Sequence, residues 1–321
     1  MIRYILHRFI NMIPLLFGIT FLSFGIMKLA PGDFLSQMAL NPLISSETIE
    51  LMRKQFGLDQ PWPIQYLKWL WGIIHFDFGY SFTYRVPVAT LITERVLNTL
   101  LLTSTAAILA WLLALPLGVY TALWRKSLFD QILSFFSFAT ISVPTFFLAL
   151  LGVFFAAKTG WFPTGGAISI NYAALSPFDK LCDRFHHLIL PAMVLGIGGL
   201  GSLLRIVRTN FLEMMRQPFI MTAKAKGLHS NTVTWRHIFP NAINPLITLL
   251  GFEIAGLLSG AAFTEIIFAW PGLGRLILEA VMSQDLYLVM GSLFMGAILL
   301  ILGNLLADIL LATIDPRIKL R

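Results

Sequence analysis

Apolar residues of this chain form long runs, and most charged residues lie between the runs. A helix needs about 20 mostly apolar residues to cross the hydrocarbon core of a bilayer. The runs near this length predict six membrane-spanning helices, at residues 9–30, 99–123, 131–157, 187–204, 241–263 and 286–311. Pro116 predicts a kink in the second helix, Pro144 predicts a break in the third, and the GIGGLG run at 196–201 predicts close helix packing. The pattern is that of an all-α integral membrane protein.

The segments between the runs carry polar, charged and aromatic residues. In residues 32–98, Ser45 or Ser46 predicts the N-cap of an amphipathic helix that ends near Phe56. Further along, four aromatic residues indicate a second helix, which we expect to lie at the membrane surface: Trp62, Tyr66, Trp69 and Trp71. A second loop, residues 158–186, is rich in glycine, proline and aromatic residues.

Composition agrees with a membrane protein and excludes several kinds of site. Hydrophobic residues make up 57% of the chain and charged residues 12%, whereas charged residues run near ~25% in soluble domains. The mean hydropathy is +0.79. The single cysteine, Cys182, excludes an internal disulfide framework and a cysteine-rich metal site. The formal charge of +7 indicates membrane topology and contact with anionic lipid, and no nucleic-acid module accompanies it.

Lys and Arg residues are concentrated on one side of the predicted bilayer. Six spans place both termini on the same side, and thirteen basic residues fall on that side near the span ends, against nine on the longer segments opposite. Because basic residues favour the cytoplasmic side, both termini and residues 205–240 are predicted to be cytoplasmic. The chain then has three parts: a first helix with a long extracytoplasmic region, a five-helix core that includes the basic loop, and a cytoplasmic tail, at residues 1–98, 99–311 and 312–321.

The chain lacks the motifs of common catalytic and nucleotide-binding sites. It contains no G-x-x-x-x-G-K-[ST], G-x-S-x-G or H-E-x-x-H pattern, and the adjacent His186 and His187 do not share a helix face as paired metal ligands would. We therefore predict no catalytic residue, no cofactor and no metal site. Glu253 lies midway along the fifth predicted span, where a charge is costly. It either faces a translocation path or is protonated or paired within the bundle.

Residues 205–240 form a strongly basic segment, with six of the 23 Lys and Arg residues and one acid, Glu213. Pro218 favours the start of a short helix, and Gly227 favours its end. The exposed face of that helix is predicted to carry three polar and two small residues, Thr222, Lys224, Lys226, Ala223 and Ala225. A short helix with small residues on its surface can enter a groove of a partner protein. The alternative is an ordinary basic cytoplasmic loop.

A longer motif favours the docking helix over the ordinary loop. The segment TAKAKGLHSNTVTWRHIFPNAINP, residues 222–245, resembles the EAA loop of ABC importer permeases. Ala223 and Gly227 stand at the alanine and glycine positions of that loop, Ile238 and Pro240 close it, and Thr222 replaces the glutamate. Other stretches resemble the oligopeptide, dipeptide and nickel branch of the family in the same order, among them APGD at 30–33, FGLDQPWPIQYLKWL at 56–70, HFDFGYS at 75–81, RIVRTNFLE at 205–213, GAAFTEIIFAWPGLG at 260–274 and DPRI at 315–318.

The resemblance implies a non-enzymatic permease subunit with the type I ABC importer fold, located in the cytoplasmic (inner) membrane. The implied partners are a second homologous permease, two ATPase subunits and an extracytoplasmic substrate-binding protein. The residues implied to couple this chain to the ATPases are Glu213, Thr222, Ala223, Lys224, Ala225, Lys226, Gly227, Ile238 and Pro240. The implied substrate is a di- or oligopeptide, with nickel or another small solute as the alternative.

Two rival functions are weaker. A secondary transporter that couples ions through Glu253 would be expected to show paired, Gly/Pro-broken inverted halves, and these are not visible in the sequence. A membrane-embedded enzyme would need a paired catalytic constellation, which is also not visible.

Overall fold

The computed structural model describes residues 2–243, 245–246 and 261–314, and these residues are helical or in loops, with no named strand. An isolated antiparallel bridge joins Tyr80 and Pro87. The helices are α1 (Ile2–Leu29), α2 (Phe34–Met38), α3 (Ser46–Gln55), α4 (Trp62–Ile74), α5 (Val88–Leu123), α6 (Leu128–Ser142), α7 (Thr145–Thr159), α8 (Pro177–Met215), α9 (Pro218–Ala225), α10 (Ser230–Thr232), α11 (Leu273–Met282) and α12 (Leu286–Ile314). A 3₁₀ turn (Tyr172–Ala174) and a π-helical turn (Val233–Ile238) are also present, and residues 239–243 and 261–267 are helical.

Among the described residues, four segments are long and apolar enough to cross a membrane, and they are Ile10–Met38, Val88–Leu123, Pro177–Met215 and Leu286–Leu306. A fifth candidate is the pair α6 and α7, which are bent by 104° relative to each other. The bend falls at Pro144, whose preceding residue Val143 has extended backbone, as the proline ring requires. The predicted break at Pro144 is therefore confirmed. Most of the predicted fifth span, with Glu253, lies outside the described residues, so the number of six spans stays a prediction.

The chain divides into two compact units. The first contains the chain up to Thr99 together with Pro271–Ile301, and the second contains Leu100–Trp270 and the chain from Leu302 onwards. The division passes through α5 and α12, so each of these helices contributes to both units. The three parts expected from topology stay a prediction.

In the first unit, α4 packs against α1. The Tyr66 hydroxyl lies 2.9 Å from the Thr20 hydroxyl oxygen, and Tyr66 and Trp69 are both buried. Their cluster also contains Phe24, Leu286 and Met290. The expected helix is present, and its placement at the membrane surface stays a prediction. Tyr66 and Trp69 fill a core between helices, whereas Trp62 and Trp71 are exposed.

The loop between α4 and α5 is fastened to the junction of α11 and α12 by a buried carboxylate. Asp285 is fully buried, and it accepts hydrogen bonds from the Ser81 hydroxyl at 2.7 Å and from the Thr83 backbone N–H at 3.0 Å. A buried carboxylate is tolerated only when such donors compensate for the water it has lost. Asp285 therefore holds this loop in one conformation.

A second contact joins the same loop to α11. Tyr84 donates a hydrogen bond of 2.5 Å to the Glu279 carboxylate, which Arg275 also contacts at 2.7 Å. Burial and the hydrogen bond to Glu279 raise the pKa of Tyr84 to about 12. Burial alone would raise the pKa of Glu279, but the hydrogen bonds from Tyr84 and Arg275 outweigh it and lower that pKa. The cluster is therefore a neutral phenol bound to an ionised carboxylate at neutral pH.

In the second unit, α8 packs closely on α5 and α6 because glycine occupies the contacts. A Cβ atom on Gly196 would lie 2.9 Å from the Ala106 carbonyl oxygen, and one on Gly201 would lie 2.5 Å from the Ser137 carbonyl oxygen. The Ser137 hydroxyl donates a hydrogen bond of 2.6 Å to the Gly201 carbonyl. The predicted close packing at the GIGGLG run is confirmed.

Candidate docking surface

The basic segment folds into a short helix with defined ends just after α8. Pro218 occupies the first turn of α9, where its missing N–H is not needed. At the other end, the Leu228 N–H bonds to the Ala223 carbonyl at 3.4 Å, and the Gly227 N–H bonds to the Lys224 carbonyl at 2.9 Å. This pair of bonds is a Schellman motif, and Gly227 has the left-handed φ of +76° that the motif requires. The predicted start and end of the helix are confirmed.

One side of α9 is buried against the chain's own core. Ile220 is fully buried, and Ala223 is 7% exposed. The core beneath them contains buried residues of α5, of α8 and of the helical turns after α9, namely Ala114, Val119, Ala122, Leu203, Leu204, Val207, Phe211, Val233, Ile238, Ala242 and Leu246. Close-packed interiors transmit displacement with little compression. A force applied to α9 therefore acts on α8 and α5.

The rest of α9 and the turn after it expose large apolar side chains beside cations. Met221 is 66% exposed and Trp235 is 56% exposed. The surface, here called the docking surface, consists of Phe219, Met221, Thr222, Lys224, Ala225, Lys226, Leu228 and Trp235. Exposed apolar side chains grouped in this way and flanked by charge are typical of a contact with another protein.

The π-helical turn determines the position of Trp235. Val233 and Ile238 of this turn are buried in the core beneath α9, whereas Trp235 points away from that core and contacts Phe239 with 5.2 Å between ring centroids. Such turns are rare and occur frequently at functional sites. The turn therefore adds a large side chain to the docking surface while its flanking residues hold it in place.

The structure separates the predicted coupling residues into two groups. Ala223 and Ile238 are buried, so the prediction that Ala223 lies on the exposed face of the helix is corrected. Its small side chain lets α9 approach its own core closely. The exposed predicted residues are Glu213, Thr222, Lys224, Ala225, Lys226, Gly227 and Pro240. Glu253 lies outside the described residues. Sequence reasoning missed four exposed apolar residues, which are Phe219, Met221, Leu228 and Trp235. They could have been found from the sequence, because this segment holds more large apolar side chains than one buried stripe of a short helix needs.

An ion pair between a buried aspartate and a partly exposed arginine joins α6 to α8 in the same unit. Arg208 donates from Nε to Asp130 Oδ1 at 2.9 Å and from Nη2 to Oδ2 at 3.0 Å. Asp130 is buried, and it also accepts the Lys126 backbone N–H at 2.9 Å. The two parallel bonds give the strong, fork-shaped geometry of an Arg–carboxylate pair. Arg208 lies on α8 one turn before the buried Phe211, so the pair fixes the loop between α5 and α6 to the helix that supports α9.

In the part of the chain that the structure describes, no three metal-ligating side chains come together. The short helix α9 packs against the end of the long helix α8, which is long and apolar enough to cross a membrane. Together with the other apolar spans, this defines a multi-pass helical membrane protein.

Comparison with known protein families identifies the family of this chain. Residues 114–320 match the family described as "Binding-protein-dependent transport system inner membrane component", and residues 1–103 match the corresponding N-terminal family of transport system membrane components. The chain belongs to this family. It is therefore a multi-pass inner-membrane subunit of an ABC transport system and is not itself an enzyme. Membership implies partnership with an ATPase and a substrate-binding protein.

Individual relatives match over the whole length. The chain is 41% identical over 321 residues to the oligopeptide transport system permease protein AppB of Bacillus subtilis (strain 168), with 99% of this chain and 100% of that protein covered. It is 36% identical over 323 residues to a putative peptide permease protein of Brucella suis biovar 1 (strain 1330), with 99% of each covered. It is 34% identical over 337 residues to the dipeptide transport system permease protein DppB of Escherichia coli (strain K12), again with 99% of each covered.

Proposed function

We propose that this chain is a transmembrane subunit of an ATP-driven importer of di- or oligopeptides, coupled to separate ATPase subunits through the docking surface. The observation that carries the coupling proposal is the seating of α9: its inner side is packed into the core of α8, and its outer side is exposed and apolar with two lysines. The peptide substrate is supported by two relatives, which are an oligopeptide and a dipeptide transport system permease. Nickel or another small solute is the alternative.

The proposed mechanism converts movement of the ATPases into movement of membrane helices. When two ATPase subunits close around ATP, the groove that holds α9 shifts. Ile220 and Ala223 transmit that shift to α8, and the pair of Arg208 with Asp130 transmits it to α6. The helices then rock as near-rigid bodies and change which side of the membrane the translocation path faces. The exposed residues Lys224 and Lys226 are proposed to pair with acidic groups of the ATPase.

The remaining architecture is part of the same proposal. Six spans with both termini in the cytoplasm place the basic loop 205–240 on the ATPase side. A second, homologous permease completes the path, since one subunit provides half of it. The regions at 32–98 and 158–186 then face the binding protein. Glu253 is proposed to line the path, at mid-membrane depth.

Site-directed cross-linking tests the docking surface directly. In a Cys182→Ser background, which removes the exposed native thiol, Ala225→Cys places a thiol on the docking surface with little change in volume. Lys158→Cys is the matched control, because Lys158 is also exposed but lies at the end of α7, on the opposite side of the predicted membrane. Each variant is co-expressed with the ATPase subunits and treated with a short thiol-to-amine cross-linker.

We expect an ATPase adduct from Ala225→Cys whose yield changes when ATP is added, and none from Lys158→Cys. Equal yields from the two positions, or an adduct from Lys158→Cys alone, would show that α9 is not the docking helix.

A further inference from the structure

A cavity of about 260 Å³ lies in the first unit, where the end of α1 meets α3 and the start of α12. Its walls include Met27 and Lys28 of α1, Asp33, Arg53 of α3, and the pair Gln284 and Leu286 at the junction of α11 and α12. None of these residues belongs to the docking surface. The cavity is somewhat smaller than the sites of drug-sized ligands, which occupy about 300–1,000 Å³. It therefore suits a compact group rather than a whole peptide.

The cavity lies at the edge of the apolar part of the chain. Leu22, Ile26 and Leu29 form an exposed apolar stripe along α1, and the stripe stops beside the cavity. On another wall, Leu286 is the first residue of α12, a second candidate membrane helix. The ends of two apolar helices mark the boundary between hydrocarbon and water. The cavity is thus at the depth of lipid head groups.

The charges in the cavity sum to one positive charge. Arg53 Nη2 lies 2.9 Å from Asp33 Oδ1, and Asp33 also accepts the Ser36 backbone N–H at 2.7 Å. Asp33 therefore pairs directly with Arg53, and its charge also acts on Lys28 through space. Within the described residues Lys28 makes no hydrogen bond or ion pair, and its ammonium group lies 5.6 Å from the ring centroid of Phe24. Lys28 is available for an anion.

The rim of the cavity is held in one conformation. The Gln284 side-chain amide donates to the Pro31 carbonyl at 3.0 Å, and its oxygen accepts from the Gln37 side chain at 3.1 Å. Gln284 itself has a φ of +52°, a conformation that costs energy for a residue other than glycine. Strained residues held by surrounding contacts are characteristic of ligand clamps. The cavity is accordingly preformed, which lowers the entropic cost of binding.

We propose that this cavity binds the phosphodiester head group of an anionic phospholipid such as phosphatidylglycerol. Lys28 supplies the unbalanced positive charge, and Arg53 supplies the remaining guanidinium donors that Asp33 does not use. Met27 and Leu286 contact the glycerol and the first methylenes of the acyl chains. The lipid then links α1, α3 and α12 at the membrane boundary. This assignment does not depend on which solute is transported.

Thermal unfolding of the purified full-length chain in a neutral detergent tests the site, with short-chain lipids as probes. The protein is titrated separately with dioctanoyl phosphatidylglycerol, dioctanoyl phosphatidylcholine and inorganic phosphate. A ligand of the native state raises Tm with concentration. We expect phosphatidylglycerol to raise Tm saturably, and Lys28→Gln to raise the half-saturating concentration about fivefold, the factor expected for one basic charge near a membrane surface. Lys28→Arg restores the wild-type concentration, since it keeps the charge.

The control variant is Lys68→Gln, which removes an exposed lysine of α4 that does not line the cavity. It leaves the titration unchanged. Native mass spectrometry, which counts co-purified phosphatidylglycerol, provides a second readout that does not require unfolding. Lys28→Gln lowers that count, and Lys68→Gln does not. Equal Tm shifts with phosphatidylcholine, equal shifts with inorganic phosphate alone, or equal effects of the two glutamine variants would each overturn the assignment.

Discussion

Gly227, the left-handed residue that ends α9, is where we expect a substitution to reduce the coupling of transport to ATP hydrolysis. Gly227 has a φ of +76°, and among the described residues no atom outside its two chain neighbours lies within 4 Å of the position that a Cβ would occupy. A substitution therefore meets backbone strain and no steric clash with the described part of the chain. The left-handed conformation costs a residue with a Cβ roughly 1–2 kcal/mol, and more if the side chain is β-branched, whereas asparagine tolerates it well. The expected order of damage is Gly227→Asn, then Gly227→Ala, then Gly227→Val.

The strain acts on the docking surface and leaves the fold intact. In Gly227→Val the Schellman bonds to the Ala223 and Lys224 carbonyls are lost in part of the population, and the last turn of α9 unwinds. Ile220 still holds the first turn of the helix in the core, so insertion into the membrane is unaffected. A strain of about 1–2 kcal/mol lowers the ratio of ordered to unwound helix ends by a factor of roughly 5–30.

The assay measures solute transported per ATP hydrolysed, in proteoliposomes that contain the complete transporter. We expect coupling to fall by up to about 5–30-fold for Gly227→Ala, to fall further for Gly227→Val and to stay near normal for Gly227→Asn. Wild-type coupling in Gly227→Val would show that the left-handed end of α9 is not needed. Equal losses in Gly227→Asn and Gly227→Val would show that the space at this position matters rather than its backbone conformation.

Three further predictions concern stability. Ala223→Leu overpacks the core beneath α9 and should lower the free energy of unfolding by about 1–3 kcal/mol. Ala225→Leu, on the exposed side, should leave Tm unchanged but weaken capture of the ATPase. The reverse pattern would contradict the assigned orientation of α9. Asp130→Asn removes the charged partner of the partly exposed Arg208 and should cost about 1.5–3 kcal/mol, the range for a hydrogen bond to a charged group, seen as a fall in Tm; an unchanged Tm would mean that the pair does not join α6 to α8. Ala269→Gly relieves a left-handed residue with a φ of +50° and should stabilise the protein by about 1 kcal/mol, so a lower Tm would contradict the strain.

Features set by short stretches of sequence were predictable. Ser45 caps α3 through a hydrogen bond to Thr48, Pro218 opens α9, and Gly227 closes it, because each depends on backbone geometry within a few residues. The break at Pro144 has the same local origin.

Helix lengths were less predictable than the apolar spans. The predicted fourth span covers 187–204, but α8 runs over Pro177–Met215, well beyond the apolar run at both ends. Hydropathy reports which residues can face lipid, and it does not report where a helix stops. The first turns of α8 are polar and capped by Ser176, so they are helical without being apolar.

The burial of individual side chains depended on partners that are distant in the sequence. A helix of eight residues does not define which side faces inward, so the direction of Ala223 became clear only with the core of α5 and α8 beside it. Tyr66 and Trp69 suited a membrane surface by composition. Their burial follows from contacts with α1 and α12, which no local pattern indicates. The docking surface was thus located by its motif, and its inner and outer sides were assigned by packing.

Uptake of a labelled dipeptide into proteoliposomes distinguishes an ATP-driven importer from an ion-coupled transporter. The proteoliposomes contain this chain, its partner permease, the ATPases and the binding protein. We expect uptake when ATP is supplied to the ATPase side in the absence of any ion gradient, and no uptake without ATP. Uptake that disappears when an ion gradient is collapsed and is indifferent to ATP would contradict this expectation.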